Sequence, residues 1–118
     1  MLYESTIQRQ IIDYLKILLA RGTVVWFCRV NGGMAQYGEQ PVWNYTLALP
    51  GFEDAHDGYS DLHGMLMNGR YFAIEVKRKG KNPTNPQQRF LDAVRHGNGI
   101  AIVAYRFEDV QNALRIEL

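Results

Sequence analysis

The 118-residue sequence predicts an α/β fold, a mixed central sheet flanked by helices. Three observations predict it. Ile7, Ile11, Leu15 and Leu18 recur at the helical period near the start of the chain. The stretch YFAIEVK (71–77) alternates with period two, as a strand does. A punctuated helical segment then separates this strand from the apolar run IAIVAY (100–105). A helical crossover of that kind returns the chain to a parallel neighbour.

Taken in order, Glu4 to about Ala20 reads as the first helix, with Gly22 just past its end as a stop. Thr23 to Val30 is β-branched and aromatic, which predicts a central strand with Cys28 as a buried thiol. Residues 31–58 carry five glycines and two prolines and read as a long binding loop, in which WNYTLALP can form a short strand or helix. Tyr37, Trp43 and Tyr45 in this loop are candidate stacking rings or packing residues. Leu62 to Met67 reads as a short strand that turns at Asn68-Gly69, a hairpin signal, into 71–77. For the second helix, Asn85 reads as N-cap, Pro86 as first helical residue, Gln88 as the N3 partner of a capping box and Gly97 as the stop. Ile100 to Tyr105 reads as a strand buried on both faces, and Phe107 to Leu114 as a short terminal helix.

The length suits one domain over 1–118, long enough to bury about two-thirds of its unfolded surface. Hydrophobic and charged shares of 47% and 21% are those of an ordinary globular protein. No apolar run approaches the roughly 20 residues needed to span a bilayer, and the first residues do not follow a signal-peptide pattern. A lone cysteine excludes an internal disulfide, and the expectation is an intracellular location. The net charge of +1 says little as a total, but Lys77, Arg78, Lys79 and Lys81 cluster directly after the strand, where they can meet phosphates.

Glu75 and Lys77 share one face of their strand, and Asp61 begins the preceding one. Whether Asp61 joins them depends on the turn. A two-residue Asn68-Gly69 loop pairs Asp61 with Val76 and sends its side chain to the other face. A three-residue loop, Met67-Asn68-Gly69 with Gly69 left-handed, sets Asp61 directly opposite Glu75, with Cβ atoms about 5 Å apart. Opposed carboxylates repel, and become favourable around a divalent cation such as Mg²⁺ or Mn²⁺. Lys77 would then stand beside that cation, where an ammonium can orient water or stabilise charge on a phosphate.

Asp61, thirteen intervening residues and Glu75-Val76-Lys77 together resemble the PD-(D/E)xK nuclease superfamily. Glu4 on the first helix, Gly58-Tyr59-Ser60-Asp61, the EVK strand and NPQQ leading a helix resemble its VRR-NUC branch. The resemblance runs from Glu4 to about Leu114 and implies a restriction-endonuclease-like αβββαβ core. It implies Asp61 and Glu75 as metal ligands completed by the Val76 carbonyl, Lys77 as the catalytic lysine, Glu4 acting through the metal shell or its water, and Gln88 as the helix glutamine. Ser60 stands where the motif has proline, and Gln87 lies next to Gln88. Arg29, Asn31 and Gly33 resemble the segment preceding the site in this branch, and Arg29 joins Arg78, Lys79 and Lys81 as a candidate DNA contact. The implied activity is a Mg²⁺- or Mn²⁺-dependent DNA endonuclease acting on branched DNA, a Holliday-junction resolvase working as a homodimer. The alternative is a catalytically silent nucleic-acid-binding module of the same fold.

Overall fold

The computed structural model describes residues 2–30, 34–37, 40–43, 47–55 and 58–117. Helix α1 spans Glu4–Ala20 and is followed by strand β1, Val24–Arg29. Two small antiparallel hairpins come next, β2 (Met34–Tyr37) with β3 (Gln40–Trp43) and β4 (Leu47–Leu49) with β5 (Phe52–Ala55). Strands β6 (Leu62–Leu66) and β7 (Tyr71–Val76) form the predicted hairpin. Helix α2 (Asn85–His96), strand β8 (Ile100–Ala104) and helix α3 (Phe107–Arg115) complete the order.

The central sheet runs β1-β6-β7-β8, antiparallel except for the β7–β8 pair, which is parallel across the α2 crossover. This is the mixed, helix-flanked sheet that the sequence predicts. The even-numbered residues of β6, β7 and β8 point to one face, where Leu62, Leu66, Phe72, Ile74, Val76 and Ile102 are buried under Ile7, Ile11, Leu15 and Leu18 of α1 and Val110 and Leu114 of α3. The odd-numbered residues point the other way. There Ala73, Ala101 and Val103 meet Phe90, Leu91 and Val94 of α2, with Leu49 of β4. The strand carrying Glu75 therefore lies inside the sheet, covered on both faces.

Three expectations are corrected. Strand β1 ends the sheet instead of running through its centre, and its register slips by one residue between Val24 and Trp26, leaving Val25 outside the pairing. Cys28 lies on this edge strand, and its thiol is exposed. The α2 cap is Thr84, whose hydroxyl accepts from the Gln87 N–H at 3.4 Å while Gln87 Oε1 accepts from the Thr84 N–H at 2.9 Å. Asn85 is thus the first helical residue and Gln87, not Gln88, the N3 partner. A threonine hydroxyl reaches the N3 amide from an extended residue, and with glutamine at N3 it closes the reciprocal pair of a capping box. Asn31, Gly33 and the Tyr45 ring lie outside the described residues, as do the Tyr37 and Trp43 side chains.

Candidate active site: an opposed carboxylate pair beside a basic cleft

The hairpin turn decides the site. The Leu66 N–H donates to the Arg70 carbonyl at 2.9 Å, and the Gly69 N–H donates to the Leu66 carbonyl at 2.9 Å. Met67, Asn68 and Gly69 are therefore the three loop residues, and Gly69 sits at φ +88°, a left-handed conformation that glycine adopts without a Cβ penalty. The pairs Met65–Tyr71, His63–Ala73 and Leu62–Ile74 extend by one step to Asp61 opposite Glu75. Asp61 is fixed from both sides: its carbonyl accepts from the Val30 N–H at 2.8 Å, and its Oδ2 accepts from the Val76 N–H at 2.8 Å. A strand residue's N–H and C=O point the same way. The Val76 carbonyl thus faces the Asp61 edge too.

The approach to Asp61 is shaped by two short residues. Gly58 passes so close to α2 that a Cβ there would stand 2.7 Å from the Pro86 carbonyl oxygen. Ser60 is buried and donates its hydroxyl to the Leu62 carbonyl at 3.1 Å, which fixes the turn into β6.

Glu75 is nearly sealed, with 3% of its side chain exposed, and Lys77 is 14% exposed. The Lys77 ammonium lies 3.9 Å from Glu75 Oε1. Oε2 is buried without a donor. Burial and then the charge of Asp61 push the Glu75 carboxyl up to about 8, with Lys77 opposing. Burial raises Asp61 as well, against the Val76 N–H and Lys77. Glu4 lies close enough to raise both acids, and its own Oε2 accepts from the Arg78 N–H at 3.1 Å. The first helix, the hairpin and the segment after β7 thus bring Glu4, Asp61, Glu75 and Lys77 together.

A hard divalent cation fits this donor set. The chemistry of the donors suits such an ion: two opposed carboxylates, one with a buried oxygen that has no hydrogen-bond partner, and Mg²⁺ is commonly held by one or two carboxylates with the remaining positions filled by water and substrate oxygens. Among the described residues no group of three or more His, Cys, Asp or Glu is placed to hold a metal ion; the Val76 carbonyl, on the same side of its strand as the N–H bonded to Asp61, is a further oxygen facing the pair.

The other expected site residues scatter. The Gln88 amide donates to Asp92 Oδ1 at 2.9 Å, one turn along α2. The Arg29 guanidinium donates from Nε to Gln8 Oε1 at 2.8 Å, on the α1 side of the sheet. Arg78 and Lys81 line a cleft of about 560 Å³ that also includes Lys77, Glu4 and Thr84, whereas Lys79 borders a separate recess with Tyr105 and Arg106. The Lys81 N–H donates to the Arg78 carbonyl at 3.1 Å, and this tight turn divides the basic run between two surfaces.

One polar group escaped the sequence reading. His63 follows Asp61 on the same face, and its Nδ1 lies 3.1 Å from the Tyr59 hydroxyl. The Trp26 ring meets it edge-on at 5.4 Å and Tyr71 flanks it at 5.8 Å. Burial pushes the imidazole below its ordinary value, toward the neutral form. Its signal was the period-two step from Asp61.

Fold and site together define an α/β domain with a carboxylate pair, Glu75 buried and Asp61 half-buried, a lysine at its side and a basic cleft that shares this lysine. The chain matches no protein-family model, no curated protein and no solved structure. Among the described residues no helix is long and apolar enough to cross a membrane.

Proposed function

We propose that the chain is a Mg²⁺- or Mn²⁺-dependent DNA endonuclease of the VRR-NUC type, with a restriction-endonuclease-like core, selective for branched DNA. The observation that carries the reading is the opposed Asp61–Glu75 pair with the Lys77 ammonium 3.9 Å from Glu75. Asp61, Glu75 and the Val76 carbonyl would hold the cation, which supplies Lewis-acid polarisation of the phosphodiester and a more acidic water. Asp61 reaches this role with its orientation preset by the Val76 N–H. Glu75, pushed up to about 8 by burial and Asp61, would ionise beside a bound cation, its proton passing to solvent. Lys77 places a fixed, largely desolvated positive charge where the scissile phosphate gains negative charge, and charge stabilisation of this kind strengthens where water is excluded. Glu4 holds the backbone of Arg78, and so the start of the basic turn, against α1. Gln88 is assigned no step, since its amide is engaged by Asp92. One centre per chain cuts one strand, so symmetric incision of a four-way junction calls for a homodimer.

The test is incubation with a labelled four-way junction and a linear duplex, in Mn²⁺ or Mg²⁺ and then in EDTA. Junction cleavage that EDTA abolishes is expected. Lys77→Ala should lower it by a factor on the order of 10² while the fold persists, the scale of losing one preorganised charge. DNA that is bound and never cut in either metal would make the chain a silent binding module. Turnover unchanged in Lys77→Ala would remove the lysine from the chemistry.

A further inference from the structure

The basic cleft contains one residue that phosphate binding does not explain. Tyr3 lines it together with Ser5, Lys77, Arg78, Lys81 and Thr84, and Tyr3 is 72% exposed. The residue is nonetheless fixed. It is the N-cap of α1, and its carbonyl accepts from the Thr6 and Ile7 N–H groups, both at 3.1 Å. The cap makes no side-chain hydrogen bond, so the ring has no part in starting the helix. An exposed aromatic ring is therefore carried on a fixed backbone position at the rim of a cationic cleft. Glu4, the acid among the lining residues, has Oε2 engaged by the Arg78 N–H.

Charge alone recognises any phosphate backbone, paired or unpaired. The ring adds a demand. A flat apolar surface is covered well by the face of a base, and in a duplex those faces are already stacked on one another, so an unpaired nucleotide is what can supply one. The Arg78–Lys81 turn sets two cations at its ends, with Cα atoms within about 7 Å, to hold the adjoining backbone. Lys77 belongs both to this cleft and to the carboxylate site. A strand seated here thus leads toward Asp61 and Glu75.

We infer that this cleft seats an unpaired DNA nucleotide, with its base stacked on Tyr3 and its flanking phosphates on Arg78 and Lys81. The inference deepens the nuclease reading, resting on it only for the claim that the seated strand is the one cut. The preferred substrate then carries unpaired nucleotides beside the scissile bond.

The test measures binding without cleavage. Labelled oligothymidylate and a blunt duplex are titrated with the full chain in EDTA, followed by fluorescence anisotropy. Tyr3→Ala should weaken oligothymidylate binding about tenfold, the effect of losing one stacked base, and leave duplex binding within about twofold. Tyr3→Trp should restore single-strand affinity, since indole offers a larger face. Equal losses on both DNAs, or no loss on either, would overturn the inference. Junction cleavage in Mn²⁺ is scored separately. Cleavage retained alongside unchanged single-strand binding in Tyr3→Ala refutes the stacking and keeps the nuclease. A selective loss of single-strand binding in a chain that cuts nothing supports the stacking and refutes the nuclease.

Discussion

Replacing Glu75 by glutamine isolates the cost of ionising a side chain between β7 and α2. The Glu75 carboxyl rises from the ordinary glutamate value of 4.5 to about 8, first through burial and then through Asp61. Between those values the folded chain keeps a proton that the unfolded chain has released, so stability falls as the pH climbs through the interval. The rise is about 3.5 pH units (8 less 4.5), and at about 1.36 kcal/mol per unit it sets a ceiling of about 5 kcal/mol. Half of that ceiling lowers the Tm of a domain this size by roughly 10 °C. The assay is thermal melting by circular dichroism in EDTA, from pH 5 to pH 9, on wild type and Glu75→Gln. Groups remote from the site act on both curves, so the difference reports position 75 and the Asp61 carboxyl that faces it. Wild-type Tm should fall relative to the variant as pH rises, with most of the divergence complete just above pH 8. Mn²⁺ at the alkaline end should lift wild type and not the variant, because a ligand bound only by the folded state stabilises it. Parallel melting curves across the range would refute the buried, protonated carboxyl.

The turn and the approach to Asp61 give two further tests. Gly69→Val places a β-branched residue at φ +88°, with no neighbour within 4 Å to clash, so its cost is backbone strain of at least about 1–2 kcal/mol, read as a lowered midpoint in urea. If the loop escapes by dropping to two residues, Asp61 turns away from Glu75 and Mn²⁺ binding disappears from calorimetry, whereas an unchanged midpoint would show that the turn does not need its left-handed residue. Gly58→Ala forces a methyl to within 2.7 Å of the Pro86 carbonyl and should cost about 1–3 kcal/mol through overpacking; a variant as stable as wild type would mean that α2 can shift at no cost.

The architecture was readable wherever periodicity and punctuation agreed. The α1 stripe named its four buried residues, and the run from Leu62 to Val76 could be counted into register once the turn was given. The turn itself had two solutions in the sequence, because Asn-Gly serves both a two-residue loop and the end of a three-residue one. Cys28 was misjudged because β-branched and aromatic neighbours signal a strand, while the strand's place in the sheet depends on partners far along the chain. The α2 cap was displaced because Thr84 and Asn85 are both capping residues and each has a glutamine three positions on, at Gln87 and Gln88. Lys79 and Lys81 read as one cluster because period two ends with the strand, and the turn from Arg78 to Lys81 then redirects them. Tyr3 carried no signal at all. Its place beside Arg78 is set by α1 packing across β7, a contact between the first element and the eighth.

The two faces of the sheet are unequally filled. Among the described residues, fourteen buried side chains lie in the cluster under α1 and α3, and five in the cluster under α2. The carboxylates sit on the thinner side. Helix α2 is accordingly held to the sheet by a smaller buried cluster than α1 and α3, although Leu91 within it is as fully buried as Leu15. Opening of α2 alone is correspondingly the less costly local excursion, and it would wet Glu75 without unfolding the hairpin. The acids thus stand on the side of the sheet where the covering layer is the more easily loosened, and the hairpin that carries them on the side where it is not.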